Sequence, residues 1–140
     1  MTVIALDVKQ VRDYTLKGDG SEEKTIFMIG VLDGRLLAYI DDQAKTFALS
    51  SGGAVAPGTV HFDVDQANYK KVRFGLKGWK NFRNSSGVEM RFESEQENVP
   101  GVGFRTCATH ECMDMITPFI AELAEAILSS NRLSGVEIKN

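Results

Sequence analysis

Apolar and polar positions change period several times along this chain. Residues 2–8 (Thr-Val-Ile-Ala-Leu-Asp-Val) alternate, with Ile4, Leu6 and Val8 on one side, and predict a first strand. Residues 10–16 fit either period. Lys17–Glu23 is polar and carries Gly18 and Gly20, which predicts a loop. Thr25–Leu32 is nearly continuously apolar and rich in β-branched and aromatic residues, which predicts a strand covered on both faces. Asp33-Gly34 between two apolar runs predicts a tight hairpin turn, because that turn wants positive φ at both central positions. Residues 35–40 are then the returning arm, and 45–49 a short third strand.

The pattern changes in the second half. Residues 50–58 (Ser-Ser-Gly-Gly-Ala-Val-Ala-Pro-Gly) predict a flexible loop, a candidate for ordering on a partner. Residues 60–64 suit a short strand or an extended lead-in. Asp63 or Asp65 can cap the helix predicted over 66–82, by accepting from its free N–H groups. Tyr69, Val72, Leu76 and Trp79 share one face of that helix; Lys70, Arg73, Lys77 and Lys80 form an adjoining stripe. Gly75 and Gly78 each cost about 1 kcal/mol in a helix interior, so they imply a closely packed neighbour or a shorter helix. Asn84–Gly87 predicts a turn. Val88, Met90 and Phe92 alternate with Glu89, Arg91 and Glu93 and predict a half-buried strand. Residues 94–103 read as an acidic loop, and 103–107 as a strand pairing back on 88–92. A short helical turn is predicted over 109–116. A helix follows with Thr117 as its cap and Pro118 at its first position. Its core stripe is Ile116, Ile120, Leu123 and Ile127, with Glu122 and Glu125 facing water and a stop near 130–131. Ser134 with Glu137 suggests a capped last turn.

These elements make an α+β domain. It has an N-terminal antiparallel sheet, a basic and aromatic helix, a small hairpin and a C-terminal helical end. The 140 residues fit one domain, mainly β over 1–50, a flexible loop at 51–59, then helices and hairpin over 60–140. The net charge is −3, yet residues 70–83 hold +6, so the rest holds −9. Such asymmetry favours a charged partner or self-association. Two cysteines are too few for a disulfide framework. The N-terminus does not read as a secretory signal, and no stretch reaches the roughly 18 apolar residues of a membrane helix. The expectation is a protein of a reducing compartment with no membrane contact.

Chemistry-bearing residues are few. Cys107, His110 and Cys112, beside Glu111, are the cluster with metal-ligand character, but the spacing of His110 and Cys112 suits a helix poorly. The commoner arrangement is two reduced, partly buried thiols beside a helix start. Activation of either thiol by His110 is the nucleophilic alternative. Gly18–Thr25 evokes a phosphate loop but has Glu23 where glycine must precede the lysine, and a strand follows it. Asp41-Asp42 would point to opposite faces of a strand, at a solvated edge. No catalytic residue and no cofactor is assigned. The basic stripe Lys70, Arg73, Lys77 and Lys80 can follow a phosphate backbone or meet an acidic protein surface.

Three segments carry a resemblance: Val72-Arg-Phe-Gly-Leu-Lys-Gly-Trp-Lys-Asn-Phe82, Gly87-Val-Glu-Met-Arg-Phe92, and Ile120–Ile127 with Leu133-Ser134 before Lys139-Asn140. Over about residues 69–140 the chain resembles small head and tail morphogenesis proteins of tailed bacteriophages, including tail-assembly-chaperone-like proteins. The longer acidic loop at 93–103 departs from that pattern. The resemblance implies no enzyme. It implies protein–protein contacts in tail or neck assembly, as a chaperone or minor virion component, in the host cytoplasm and then in the particle. Partners would be other phage structural or assembly proteins, with self-association open and nucleic acid as the alternative. The interface candidates are Lys70, Arg73, Lys77 and Lys80, with Gly52, Gly53 and Gly58 in the loop.

Overall fold

The structure, a computed structural model, describes residues 9–50 and 63–135. The strand expected at 2–8, the loop at 51–59 and the final turn beyond 135 lie outside the described residues. Among those described, the α+β class holds, with four α-helices and two antiparallel sheets. Strands β1 (Val11–Tyr14), β2 (Ile26–Gly30) and β3 (Leu76–Lys80) form a three-stranded sheet in that order. Strands β4 (Ser94–Val99) and β5 (Gly103–Ala108) form a separate pair. The helices are α1 (Gly34–Ser50), α2 (Val64–Gly75), α3 (His110–Met115) and α4 (Ile120–Gly135).

The strand expected over 25–32 is β2, with Phe27 and Ile29 buried. The hairpin expected after it is not there. Residues 34–50 are α1, and this corrects both the returning arm at 35–40 and the strand at 45–49. Leu36, Ile40 and Ala44 recur every fourth residue and are buried, a helical stripe. Asp33 starts the helix: its Oδ2 accepts from the Leu36 N–H at 3.3 Å, and its carbonyl accepts from Leu37 at 3.0 Å. An Asp-Gly pair serves a tight turn or a helix start equally well, and here it starts a helix.

Asp63 caps α2, accepting from the Gln66 N–H at 3.0 Å. The helix predicted to run through Phe82 stops at Gly75, and Leu76–Lys80 is a strand. β3 pairs with β2 in the register Ile26↔Lys80, Phe27↔Trp79 and Met28↔Gly78, with a bulge between Met28 and Ile29. Both glycines are places of close approach. A Cβ on Gly75 would lie 2.7 Å from Ile127 Cδ1, and one on Gly78 2.5 Å from Met28 Cε. Lost helix length is replaced by ladder bonds to β2.

The turn at 84–87 forms, with Asn84 Oδ1 accepting from Ser86 and Val88 and with Gly87 at φ +80. The segment after it pairs back briefly, through the bridge Arg83↔Glu89 and the Met90 N–H to the Phe82 carbonyl at 2.7 Å; Met90 and Phe92 pack partly against the core, but Val88 is exposed and no regular strand develops. The acidic loop is also corrected: residues 94–99 are β4 and supply the partner of β5 that 88–92 was expected to supply. Gly101 at φ +75 and Gly103 at φ +110 make the connecting turn.

Thr109 caps α3 through the Cys112 N–H at 3.3 Å. Thr117 does not cap the next helix. Its hydroxyl donates back to the carbonyls of Met113 and Asp114, and a short 3-10 turn, Thr117–Phe119, leads into α4. Ile116, Leu123 and Ile127 are fully buried as expected, while Ile120 is only partly so. α4 continues through Gly135, past the predicted stop. Its polar side ties it to the three-stranded sheet. Arg12 donates to Ser130 Oγ and to the Ala126 carbonyl at 3.1 Å. Glu122, expected in water, accepts from Tyr14 Oη at 2.6 Å and from the Lys17 N–H at 2.8 Å. Beyond β2, Asn131 takes the Leu32 N–H at 2.9 Å and donates to the Leu32 carbonyl at 2.7 Å, as a paired strand would. Phe27, Trp79, Phe82 and Phe92 stack edge to face in the core, and Trp79 Nε1 donates to the Met90 carbonyl at 2.9 Å.

Candidate functional site

The helix break at Gly75 divides the basic stripe. Lys70 and Arg73 lie on α2, Lys77 and Lys80 on β3. Arg73 is turned inward with its side chain 8% exposed. Its Nε donates to the Ala108 carbonyl at 3.0 Å, its Nη2 to Glu95 Oε2 at 2.7 Å, and its Nη1 to Glu97. Glu95 and Glu97 reach it together because residues two apart on a strand share a face. Burial works against the charge of Arg73, but the bonds it donates to Glu97 and Glu95 outweigh it, and its pKa lies above the ordinary value. Lys70 Nζ sits 5.7 Å from the centre of the Tyr39 ring. Lys71, which the stripe left out, is buried and paired with Asp41 of α1 at 3.3 Å. Asp41 is therefore on a helix and engaged, not on a strand edge.

Lys77 behaves differently. Its stem crosses β2 over Gly30, where a Cβ would come within 2.9 Å of Lys77 Cε. Its ammonium donates to the Phe74 carbonyl at 2.9 Å. Burial of that end lowers its pKa, against a smaller opposing effect of the Cys107 thiol. Lys80 is exposed. Gly52, Gly53 and Gly58 lie outside the described residues.

The cysteine–histidine cluster does not converge. Among the described residues no three His, Cys, Asp or Glu side chains are placed to hold one metal ion. Cys107 on β5 faces the Glu95 carbonyl, and burial pushes its thiol pKa up despite nearby Arg73. Cys112 Sγ accepts from the Glu93 N–H at 3.2 Å. Both thiols are buried. His110 is exposed and bonded through Nδ1 to Tyr69 Oη at 2.7 Å.

The structure assembles a groove that the sequence did not show. It has a volume of about 490 Å3. Val31, Asp33 and Leu36 line it from the start of α1, and Phe74 and Lys77 from the α2–β3 junction. Gln96, Phe104, Arg105 and Thr106 line it from the β4–β5 hairpin, with Lys9 at its rim. Arg105 grips Asp33 through Nε at 3.0 Å and Nη2 at 3.3 Å. That bond, with the Leu36 N–H, holds the Asp33 carboxyl below its ordinary pKa. Asp33 is thus neutralised inside the groove, and the Lys77 ammonium adds positive charge to its lining. Phe104 stands at its edge with 66% of its surface exposed. The arrangement provides apolar floor and positive rim, the features of a binding surface. The single useful signal in the sequence was a phenylalanine between glycine and arginine on a short strand, which is weak without the fold.

Compared with protein-family models, with curated proteins and with solved structures, the chain has no match. No helix among the described residues is long and apolar enough to cross a membrane.

Proposed function

We propose that this chain works by binding another protein, and that the groove between α1, β3 and the β4–β5 hairpin is where it binds. The observation that carries this is the exposed ring of Phe104 beside the cationic, apolar-floored groove. An exposed aromatic ring in water gains by burial, and aromatic residues concentrate where interfaces are strongest. The occupant that fits is a segment presenting an apolar side chain next to carboxylates. This agrees with the resemblance to tailed-phage assembly proteins, and the role proposed is tail or neck assembly, as a chaperone or minor virion component acting without turnover. The host cytoplasm and the particle are its proposed locations.

Nucleic acid is the weaker partner. Arg73 is occupied by Glu95 and Glu97, and the other basic groups of the segment no longer follow one helix line. Phosphate contacts would appear as DNA or RNA affinity at about 50 mM salt that falls steeply as salt rises; no such affinity is expected. The direct test is a pull-down from infected cells beside mass spectrometry of purified virions. Wild type should retain a phage structural or assembly protein, and Phe104→Ser should lose it by at least about tenfold with unchanged thermal unfolding. Retention by the variant would reject the groove as the interface. Presence of the chain in virions would reject a purely transient chaperone.

A further inference from the structure

A second cavity lies on another part of the molecule, between the polar loop after β1 and the start of α4. Its volume is about 360 Å3, and Phe27, Phe82 and Phe119 supply three aromatic side chains to its lining. Asp19 and Glu122 are the two acidic residues that line it. No basic side chain lines it, although Lys17 and Lys24 stand in the same loop. The ammonium of Lys24 is turned to the Asp19 carbonyl, and Lys17 reaches Glu122 through its backbone N–H. In that loop Asp19, Glu22 and Glu23 outnumber Lys17 and Lys24.

Both carboxylates are fixed in place and held ionised. Asp19 accepts from the Ser21 hydroxyl and N–H and from the Thr25 N–H at 3.0 Å, and these bonds keep its pKa low. Glu122 is held low chiefly by the Tyr14 hydroxyl, then by the Lys17 N–H, both on Oε2. Its Oε1 has no partner among the described residues. The cavity therefore joins phenylalanine side chains in its lining with fixed negative charge at one side, which the charges of Lys24 and Lys17 temper only in part.

We infer that this cavity binds a small organic cation, a compact apolar body of about phenyl size carrying a protonated amine. The apolar body packs between Phe82, Phe119 and Leu16. The ammonium lies toward Asp19 and the free oxygen of Glu122. A neutral or anionic ligand of the same shape gains only the apolar part of this contact.

Trp79 reports on the site. It is the sole tryptophan, its ring centre is 4.7 Å from that of Phe82, and Phe82 lines the cavity. Titration of the full chain with benzylamine should change Trp79 emission saturably. Benzyl alcohol, of the same shape but uncharged, should bind at least about fivefold more weakly. Raising salt from about 50 to 500 mM should weaken benzylamine and leave benzyl alcohol unchanged. Amide and methyl NMR shifts should centre on Leu16, Gly18 and Thr25. Glu122→Gln should remove the preference for the amine. Because that variant also loses acceptor strength toward Tyr14 and Lys17, its fold is checked by thermal unfolding, and the wild-type salt dependence stands independently of it. Equal affinity for amine and alcohol, no saturation by about 10 mM benzylamine (weaker than ordinary small-ligand binding), or shifts centred elsewhere would each overturn the inference.

Discussion

Arg73 shows how a surface-looking residue becomes structural. Three of its donors close onto Ala108, Glu95 and Glu97, so one side chain ties α2 to both strands of the β4–β5 hairpin. Removing it leaves a buried carbonyl and two facing carboxylates without a cation. Arg73→Ala is expected to cost about 2 kcal/mol, a figure kept below the fully buried range because the two glutamates are half exposed. Equilibrium urea unfolding checks it, and a loss under about 0.5 kcal/mol would make the pair ornamental. At this scale the sequence was readable for the cap Asp63 and for the core positions Val72, Leu123 and Ile127. Local spacing names those. It does not name Arg73 as buried, because its acids lie more than twenty positions away.

At the scale of elements, the decisive event is the change from α2 to β3 at Gly75. The side chains of 66–82 suit a helix by period, yet Gly75 and Gly78 weaken it, and β2 offers a free edge to a strand. Close packing fixes the choice. The missing Cβ of Gly75 lets Ile127 of α4 touch the α2 backbone, and Ile127 is itself fully buried. Gly75→Ala should therefore destabilise by about 1–3 kcal/mol through overpacking, although alanine is the better helix former. Adding Ile127→Val should recover part of that loss. A double-mutant cycle by thermal unfolding measures the coupling, and strict additivity would show that the two residues do not meet. The strand β4 is hidden in the sequence for a related reason. Three glutamates near one another suggest a solvated loop until a buried arginine is placed beneath two of them.

For the molecule as a whole, three of the groups with shifted pKa values illustrate the pH dependence. Asp33 and Glu122 have lowered pKa values in the folded state, because of Arg105 and Tyr14 respectively. The unfolded chain takes up their protons first as pH falls. Their stabilisation is present above the ordinary carboxylate range and is lost as pH drops through the folded values. Tyr14 goes the other way. Burial and then Glu122 raise it from 10.0 to about 12. Its contribution is complete below pH 10 and is lost as pH climbs through about 12. The unfolding temperature should be flat over about pH 6–9 and fall on both sides. Tyr14→Phe should reduce the part of the alkaline fall that lies between 10.0 and about 12, the remainder belonging to other raised groups such as Tyr69; if the fall is unchanged, Tyr14 is not a source of it.

The sequence by itself determined the α+β class, the Asp63 cap, the turn at 84–87, the strand β2 and most of the core stripe of α4. Each of these depends on neighbours within about one helical turn or one strand. The tertiary structure alone decided that 34–50 is a helix, that 76–80 is a strand, that β4 pairs β5, and that the basic stripe is broken. It also decided that Asp33, Lys77, Phe104 and Arg105 share a groove. Those outcomes depend on long-range pairings: β2 receiving β3, Glu95 and Glu97 receiving Arg73, Arg105 receiving Asp33. A residue's own periodicity carries no information about a partner seventy positions distant, and at these places the partner, not the propensity, set the structure.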